Sequence, residues 1–476
     1  MYQEKLELLI DGTWRQGSEG VSEPLINPAT EETLSHVPHA STSDLDQALS
    51  AAAKGFKVWK KKTAAERYAV LYKAAELIEA RKDSIAEVLS LENGKPVAEA
   101  AGEIMFSAEA LRFYAEEGKR AYGRIIPSRT PGVRQIVMKE PIGPVLAFTA
   151  WNFPASNVIR KLGGALAAGC SIIIKPAEET PGTAVAFGRC LQDAGLPDGV
   201  LNIVFGDPAV ISSHLIASPI PKAVTLTGST AVGKLLQKQA ADTLKRCLME
   251  LGGHAPVIVH KDADLEKTLD MIVMFKFRNA GQVCTSPTRF YVHESLYEKA
   301  IAGFVERVKK IKIGQGNEEG TQMGPMIAER RLGLMDELVQ DAVLNGAKIV
   351  TGGERLDRKG YFYAPTVLRD VPDTARIMSE EPFGPIAPFT SFSDFETLME
   401  RANSTVYGLA SFVFTQDGAL ARKTEEALEA GMVGVNFMGI STPETPFGGV
   451  NQSGDGSESG IEGLEEYMRV KFIAEL

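Results

Sequence analysis

Cysteine and histidine are scarce in this chain, with four and six copies among 476 residues. Cys170, Cys190, Cys247 and Cys284 have no C-x-x-C spacing and no partnering histidines, so neither a zinc site nor a disulfide framework is indicated. No metal is therefore expected. Long apolar runs are also missing, and nothing approaches the ~20 residues of a membrane-spanning helix. Met1-Tyr2-Gln3-Glu4-Lys5 lacks the basic and apolar regions of a secretion signal, so a cytoplasmic protein is expected. The sequons at Asn403 and Asn451 then read as chance. Positive charge is in deficit: 51 Lys and Arg against 61 Asp and Glu leave a net charge of −10, which argues against nucleic-acid binding. An anionic substrate would be repelled at long range and would need cations inside its own pocket.

What is present is the composition of a globular protein, 44% apolar and 24% charged, long enough for two or more domains. From about Asp44 to Tyr122 glycine is sparse and apolar residues recur at three- and four-residue spacing, which predicts helices. Short apolar runs follow at Val145–Thr149, Ser171–Lys175, Leu201–Phe205, Ala223–Thr227 and Val257–Val259, alternating with helical stretches. That alternation predicts a doubly wound α/β sheet whose strand ends, at Gly206 and Gly228, should gather ligands. Residues 123–139 read as a hairpin around Thr130-Pro131-Gly132, and the last stretch, from Glu465, as another strand.

No G-x-G-x-x-G fingerprint occurs. Thr227-Gly228-Ser229-Thr230-Ala231-Val232-Gly233-Lys234 imitates a phosphate-binding P-loop, but Leu235 stands where a magnesium-binding Ser or Thr is required. A glycine-rich strand end opening a helix still suits a phosphate, through free N–H groups and the helix dipole. Phe277-Arg278-Asn279-Ala280-Gly281-Gln282-Val283-Cys284 places a thiol after small and polar residues, 34 positions beyond Met249-Glu250-Leu251-Gly252-Gly253. A thiol with a separate carboxylate base is one way to build a covalent catalyst, because a thiol near pKa ~8.5 needs activation.

Together with Trp151-Asn152-Phe153-Pro154 and Glu380-Glu381-Pro382-Phe383-Gly384-Pro385, these motifs resemble the aldehyde dehydrogenase superfamily from about residue 6 to the end. The resemblance implies an NAD-binding domain (1–119 and 140–249), a catalytic domain (250–447) and a small β oligomerisation domain (120–139 and 448–476) that completes a neighbour's sheet. A homodimer or homotetramer is implied with it. Cys284 would be the nucleophile, Asn152 the oxyanion donor and Glu250 the base that activates water, with Lys161 and Glu458 as a proton relay. Gly228, Ser229 and Gly233 would approach the cofactor pyrophosphate, Lys175 and Glu178 would hold the adenosine ribose, and Glu381, Phe383 and Trp151 would flank the nicotinamide end. A carboxylate at Glu178 repels a 2′-phosphate, which points to NAD over NADP.

Arg160, Arg278 and Ser441 resemble the carboxylate grip of the succinate semialdehyde dehydrogenase branch, with Phe153 and Phe447 beside them. Glutarate semialdehyde, 2-oxoglutarate semialdehyde and a broad-specificity aldehyde oxidiser remain alternatives, as does a silent structural relative. Ser286 replaces the second cysteine of some branch members, so no disulfide with Cys284 can form there. Asn451 and Ser457 depart from a family motif near the C-terminus, which leaves dimer or tetramer open.

Overall fold

The computed structural model describes residue 2 and residues 4–476. The helical region resolves into Thr42–Trp59, Ala64–Ala80, Lys82–Asn93 and Val97–Gly118. Local chemistry sets its punctuation. The Ser41 hydroxyl accepts the Asp44 N–H at 3.2 Å while the Asp44 carboxylate accepts the Ser41 N–H at 3.0 Å, a reciprocal cap repeated by Thr63 and Glu66. Gly94, left-handed at φ 89°, ends the third helix.

An eight-stranded sheet runs in the order Gly454–Asp455, Arg246–Glu250, Ala223–Thr227, Val145–Phe148, Ile172–Lys175, Leu201–Ile203, Leu8–Ile10, Thr13–Arg15. The five strands from Arg246–Glu250 to Leu201–Ile203 are parallel, and the flanking ones antiparallel. Starting from Val145–Phe148 the chain winds outward through two strands, then returns to Ala223–Thr227 on the other side of its starting strand. The order therefore reverses between these two strands, where an open α/β sheet leaves a crevice at its carboxyl ends.

A seven-stranded sheet holds the run predicted around Val257, now Ala255–Val259, which belongs here and not to the first sheet. Alternation alone could not tell the two sheets apart. Its order is Lys348–Thr351, Thr366–Arg369, Ile386–Phe392, Pro287–His293, Ala255–Val259, Ala410–Phe414, Met432–Val435, with only the first pair antiparallel. Each sheet has its own apolar core. The predicted hairpin forms between Arg124–Ile126 and Arg134–Pro141, and Met468–Glu475 pairs along the whole of the latter strand. No helix among the described residues is long and apolar enough to cross a membrane.

The helix Pro154–Ala168, buried along its full length, carries several of the predicted site residues. Glu103 holds its N-terminus: one carboxylate oxygen accepts the Ala155 and Ser156 N–H groups at 2.8 and 3.0 Å, and the other pairs with Lys95 at 2.6 Å. Lys95 also donates to the Asn152 carbonyl at 2.9 Å, and neither member of the pair is exposed. Removing Lys95 alone strands a buried carboxylate, so Lys95→Met should cost about 3–5 kcal/mol of stability in denaturant melts. The double variant Lys95→Met/Glu103→Gln should recover part of that loss. At the other end of the helix, a Cβ on Gly163 would lie 2.5 Å from the Tyr114 ring, and one on Gly164 would lie 2.5 Å from the Tyr467 ring. Gly163→Ala and Gly164→Ala should therefore each destabilise by about 1–3 kcal/mol through overpacking, against the helix-propensity trend. Unchanged melting temperatures would refute that contact.

Candidate active site

Two cavities meet at Cys284. One, of about 550 Å³, lies at the strand-order reversal and is lined by Trp151, Asn152, Gly228, Ser229, Glu250 and Glu381, among others. The second, of about 350 Å³, is lined by Phe153, Arg160, Arg278, Ser441 and Phe447. Cys284 lines both.

The loop that presents Cys284 follows the helix Leu265–Phe277. Asn279 (φ 47°), Ala280 (φ 54°) and Gly281 (φ 73°) are consecutively left-handed. Such backbone costs about 1–3 kcal/mol per non-glycine residue and persists only where the surroundings impose it. Here they do. The Asn279 side chain donates to the Asn152 carbonyl at 2.8 Å, its N–H donates to Glu99 at 3.1 Å, and the buried Gln282 side chain receives the Ile327 N–H at 3.0 Å. A Cβ at Gly281 would collide with the Gly384 carbonyl, so the Cys284 loop and the Glu381–Gly384 loop touch back to back.

Glu250 ends the strand Arg246–Glu250, in register with Thr227. It is 3% exposed, and one of its carboxylate oxygens has no hydrogen-bond partner. Burial pushes its pKa up to about 8; the negative charge of Glu458 adds to this, while Lys161, Arg160 and Cys284 oppose it. Burial likewise raises the Cys284 thiol well above its usual value, and the carboxyl groups of Glu250 and Glu381 push it further. Glu381 is raised to about 7 by burial, although it accepts the Gly253 N–H at 3.1 Å. Lys161, buried, donates to Thr227 at 2.6 Å and pairs with Glu458, which brings the predicted relay pair beside Glu250. The Asn152 amide is oriented by Asn157, whose Nδ2 donates to the Asn152 Oδ1 at 3.1 Å, leaving the Asn152 Nδ2 directed to the Gln282 carbonyl at 3.3 Å.

Around the larger cavity, Ser229 caps the helix Thr230–Ala241 by accepting the Val232 N–H. Gly233 lets that helix approach the sheet, since a Cβ there would lie 2.5 Å from Leu251. Trp151 and Phe383 meet edge to face with centroids 5.4 Å apart, and Phe383 is left-handed at φ 46°. Arg331, which no sequence signal marked, donates to the Pro382 and Phe383 carbonyls at 2.7 and 3.0 Å. Lys175 and Glu178 form an ion pair but do not line this cavity; Lys175 sits at the carboxyl end of the adjacent strand, in register with Phe148. Gly206 does not line it either. It follows a strand three places from Ala223–Thr227, so of the two predicted strand ends only Gly228 opens on the crevice.

In the smaller cavity Arg160 donates to the Ser441 hydroxyl at 2.7 Å and lies 4.1 Å from the Phe447 ring centroid. Its Nε has no acceptor. Arg278 stands 5.0 Å from the Phe153 ring centroid. Among the described residues neither arginine forms a salt bridge; Glu99 and Glu103, the latter paired with Lys95, share the wall of the same cavity. Phe106 and Asn157 also line it and had no sequence signal of their own.

Comparisons with known proteins bear on the chain as a whole. The sequence profile of the aldehyde dehydrogenase family matches residues 14–473. The chain is 45% identical to a 4-(hydroxymethyl)benzenesulfonate dehydrogenase of Comamonas testosteroni over 467 residues, 98% of this chain and 97% of that protein. It is 40% identical to the NADP-dependent succinate-semialdehyde dehydrogenase of Escherichia coli K12, again covering 98% and 97%. The crystal structure of succinate-semialdehyde dehydrogenase from Burkholderia pseudomallei superposes with a TM-score of 0.98 at 41% identity, covering 99% of this chain and 98% of that one. Fold, cleft and sequence thus converge, and the chain belongs to the aldehyde dehydrogenase family.

Proposed function

We propose that this protein oxidises a short semialdehyde bearing a distal carboxylate, succinate semialdehyde foremost, to the dicarboxylic acid with NAD. The observation that carries this reading is the pair of unpaired guanidiniums, Arg160 and Arg278, in the cavity that ends at Cys284. A guanidinium matches a carboxylate in a two-pronged fork, each charge-assisted bond contributing about 1.5–3 kcal/mol.

With the carboxylate held there and Ser441 beside it, the aldehyde carbon reaches Cys284. The thiolate adds to this carbon, and the new oxyanion is received by the Asn152 Nδ2 and the Cys284 backbone N–H. Asn157 keeps the amide turned the right way by occupying its oxygen. NAD(P), when bound, supplies the acceptor for the hydride that leaves this carbon, which turns the adduct into a thioester of Cys284. Glu250 takes a proton from water as the water attacks the thioester, and the acid departs with the thiolate restored. Lys161 and Glu458 lead that proton away.

The larger cavity fits a dinucleotide by its chemistry: an anion-favouring helix start at Ser229–Thr230, an aromatic pair, and a carboxylate at Glu381. Glu178 favours NAD, and Glu178→Ser should raise the use of NADP relative to NAD. We further infer a homo-oligomer. The strand Met468–Glu475 has one unpaired edge, and Val470 and Phe472 are 69% and 57% exposed.

A second reading has its own support. The same arginines would hold a sulfonate, and the Comamonas relative is named for a sulfonated aromatic substrate. Phe106, Phe153 and Phe447 give the cavity room for a ring. Initial rates of NADH formation with succinate semialdehyde, glutarate semialdehyde, 2-oxoglutarate semialdehyde, 4-formylbenzenesulfonate and butanal separate the readings. Anionic aldehydes should exceed butanal by about tenfold or more in kcat/KM, and Arg278→Ala should erase that gap. Equal use of butanal by the wild type sinks the clamp.

The pH profile tests the base. Glu250 works only as carboxylate, and its pKa of about 8 lies above neutrality. Steady-state acid formation should therefore fall as pH drops below about 8. In Glu250→Gln that dependence should vanish, turnover should drop by ~10²–10⁴, and a single burst of NADH should remain. A Glu250→Gln enzyme with normal turnover would remove the residue from the mechanism.

A further inference from the structure

A second large cavity lies apart from the catalytic cleft. It measures about 740 Å³ and lies at the opposite end of the eight-stranded sheet. Its lining includes Pro144 and Lys222, which immediately precede the strands Val145–Phe148 and Ala223–Thr227, whereas the cleft opens at the carboxyl ends of the same strands. The strands stand between the two openings.

The lining is chemically two-sided. Phe56, Ile142, Pro219 and Ile220 make an apolar floor. Lys57, Lys60, Lys61 and Lys222 stand around it, and among the described residues none of the four is ion-paired. Arg469 and Lys471 add two more cations from the C-terminal strand, and both share the one carboxylate of the site, Glu140. Six cations thus face a single anion in a chain of net charge −10. Lysines at the end of the helix Thr42–Trp59 complement its dipole, which accounts for Lys57 and Lys60 separately. It does not account for Lys222, Arg469 and Lys471, which converge on the same space from a loop and a strand. The four lysines are exposed, so water and salt screen their repulsion, and an anion seated among them would be attracted by all at once.

We propose that this cavity binds an organic phosphate, its ring or apolar body on the Phe56–Ile142 floor and its phosphates among Lys57, Lys60 and Lys222. A volume near 740 Å³ lies within the ~300–1,000 Å³ of small-molecule sites. No residue of the cleft takes part, so the site stands whatever aldehyde the protein oxidises.

The test is calorimetric titration of the full-length protein with ATP, in saturating NAD so that the cleft is filled. One ATP should bind per chain, more weakly at high salt. Lys57→Glu/Lys60→Glu and, separately, Lys222→Glu should each weaken it by about tenfold or more while NADH formation with an aldehyde stays unchanged, which also shows that the variants fold. Inorganic tripolyphosphate should bind less tightly than ATP; equal affinity would refute the apolar half of the site. No binding at millimolar ATP, affinity untouched by both charge reversals, or loss of ATP binding as NAD is raised would each overturn the proposal.

Discussion

The buried ion pair of Lys95 and Glu103 ties together everything the site needs. Glu103 supplies the negative charge at the start of the helix Pro154–Ala168, where unpaired N–H groups and the helix dipole both call for one. Lys95 neutralises that carboxylate and grips the Asn152 carbonyl. The same carbonyl receives the Asn279 side chain, which belongs to the left-handed turn before Cys284. One peptide oxygen therefore joins the turn that carries Asn152 to the loop that carries Cys284. The two come from different sheets, and the junction adds to other bonds between the two parts, among them the Val97 N–H to the Gly316 carbonyl and the Tyr361 N–H to the Pro28 carbonyl. The charged pair is costly to bury, and its full set of partners is what makes it sustainable.

The second constraint is desolvation. Glu250, Cys284 and Glu381 share one cleft, and burial raises all three. Burial disfavours the charged form of each; negative charge adds to this at Cys284, from Glu250 and Glu381, and at Glu250, from Glu458. Cations stand near enough to matter: Lys161 and Arg160 oppose the shift at Glu250, Arg160 at Cys284, and Arg331 at Glu381. The two carboxyl groups of the cleft are thus held close to neutrality, Glu250 at about 8 and Glu381 at about 7.

Four central strands of the first sheet, the hairpin and its C-terminal partner strand were legible because short apolar runs bounded by glycine or proline have few other readings, whereas of the second sheet only the run around Val257 was read from the residues. The assignment of Ala255–Val259 to the second sheet was not, since alternation counts strands without saying which sheet receives them. Cys284, Glu250 and Asn152 could be picked out only as members of a familiar set of motifs. Their supports were invisible for a physical reason. Asn157, Arg331 and the Lys95–Glu103 pair act through single hydrogen bonds to backbone atoms distant in sequence, and such bonds leave no periodicity or spacing. Lys276 is a further case: fully buried, lowered to about 7 by burial, its nearest acceptor the Ser286 hydroxyl at 3.5 Å. In the sequence it looks like any lysine on an amphipathic helix.

The distribution of charge is one by which an acidic protein could select an acidic molecule, as proposed above. The overall field repels an anion, so affinity must arise within a Debye length, ~8 Å at physiological salt, of the binding groups. Arg160 and Arg278 provide it in the smaller cavity, where neither forms a salt bridge although Glu99 and Glu103 share the wall. Acidic Glu250 and Glu381 lie beyond Cys284, in the other cavity. A substrate with an anionic tail, as proposed above, would be drawn to the arginines, which would set its direction before any contact with the thiol. An uncharged aldehyde would feel no such pull. Orientation, more than added affinity, is what the two arginines would contribute.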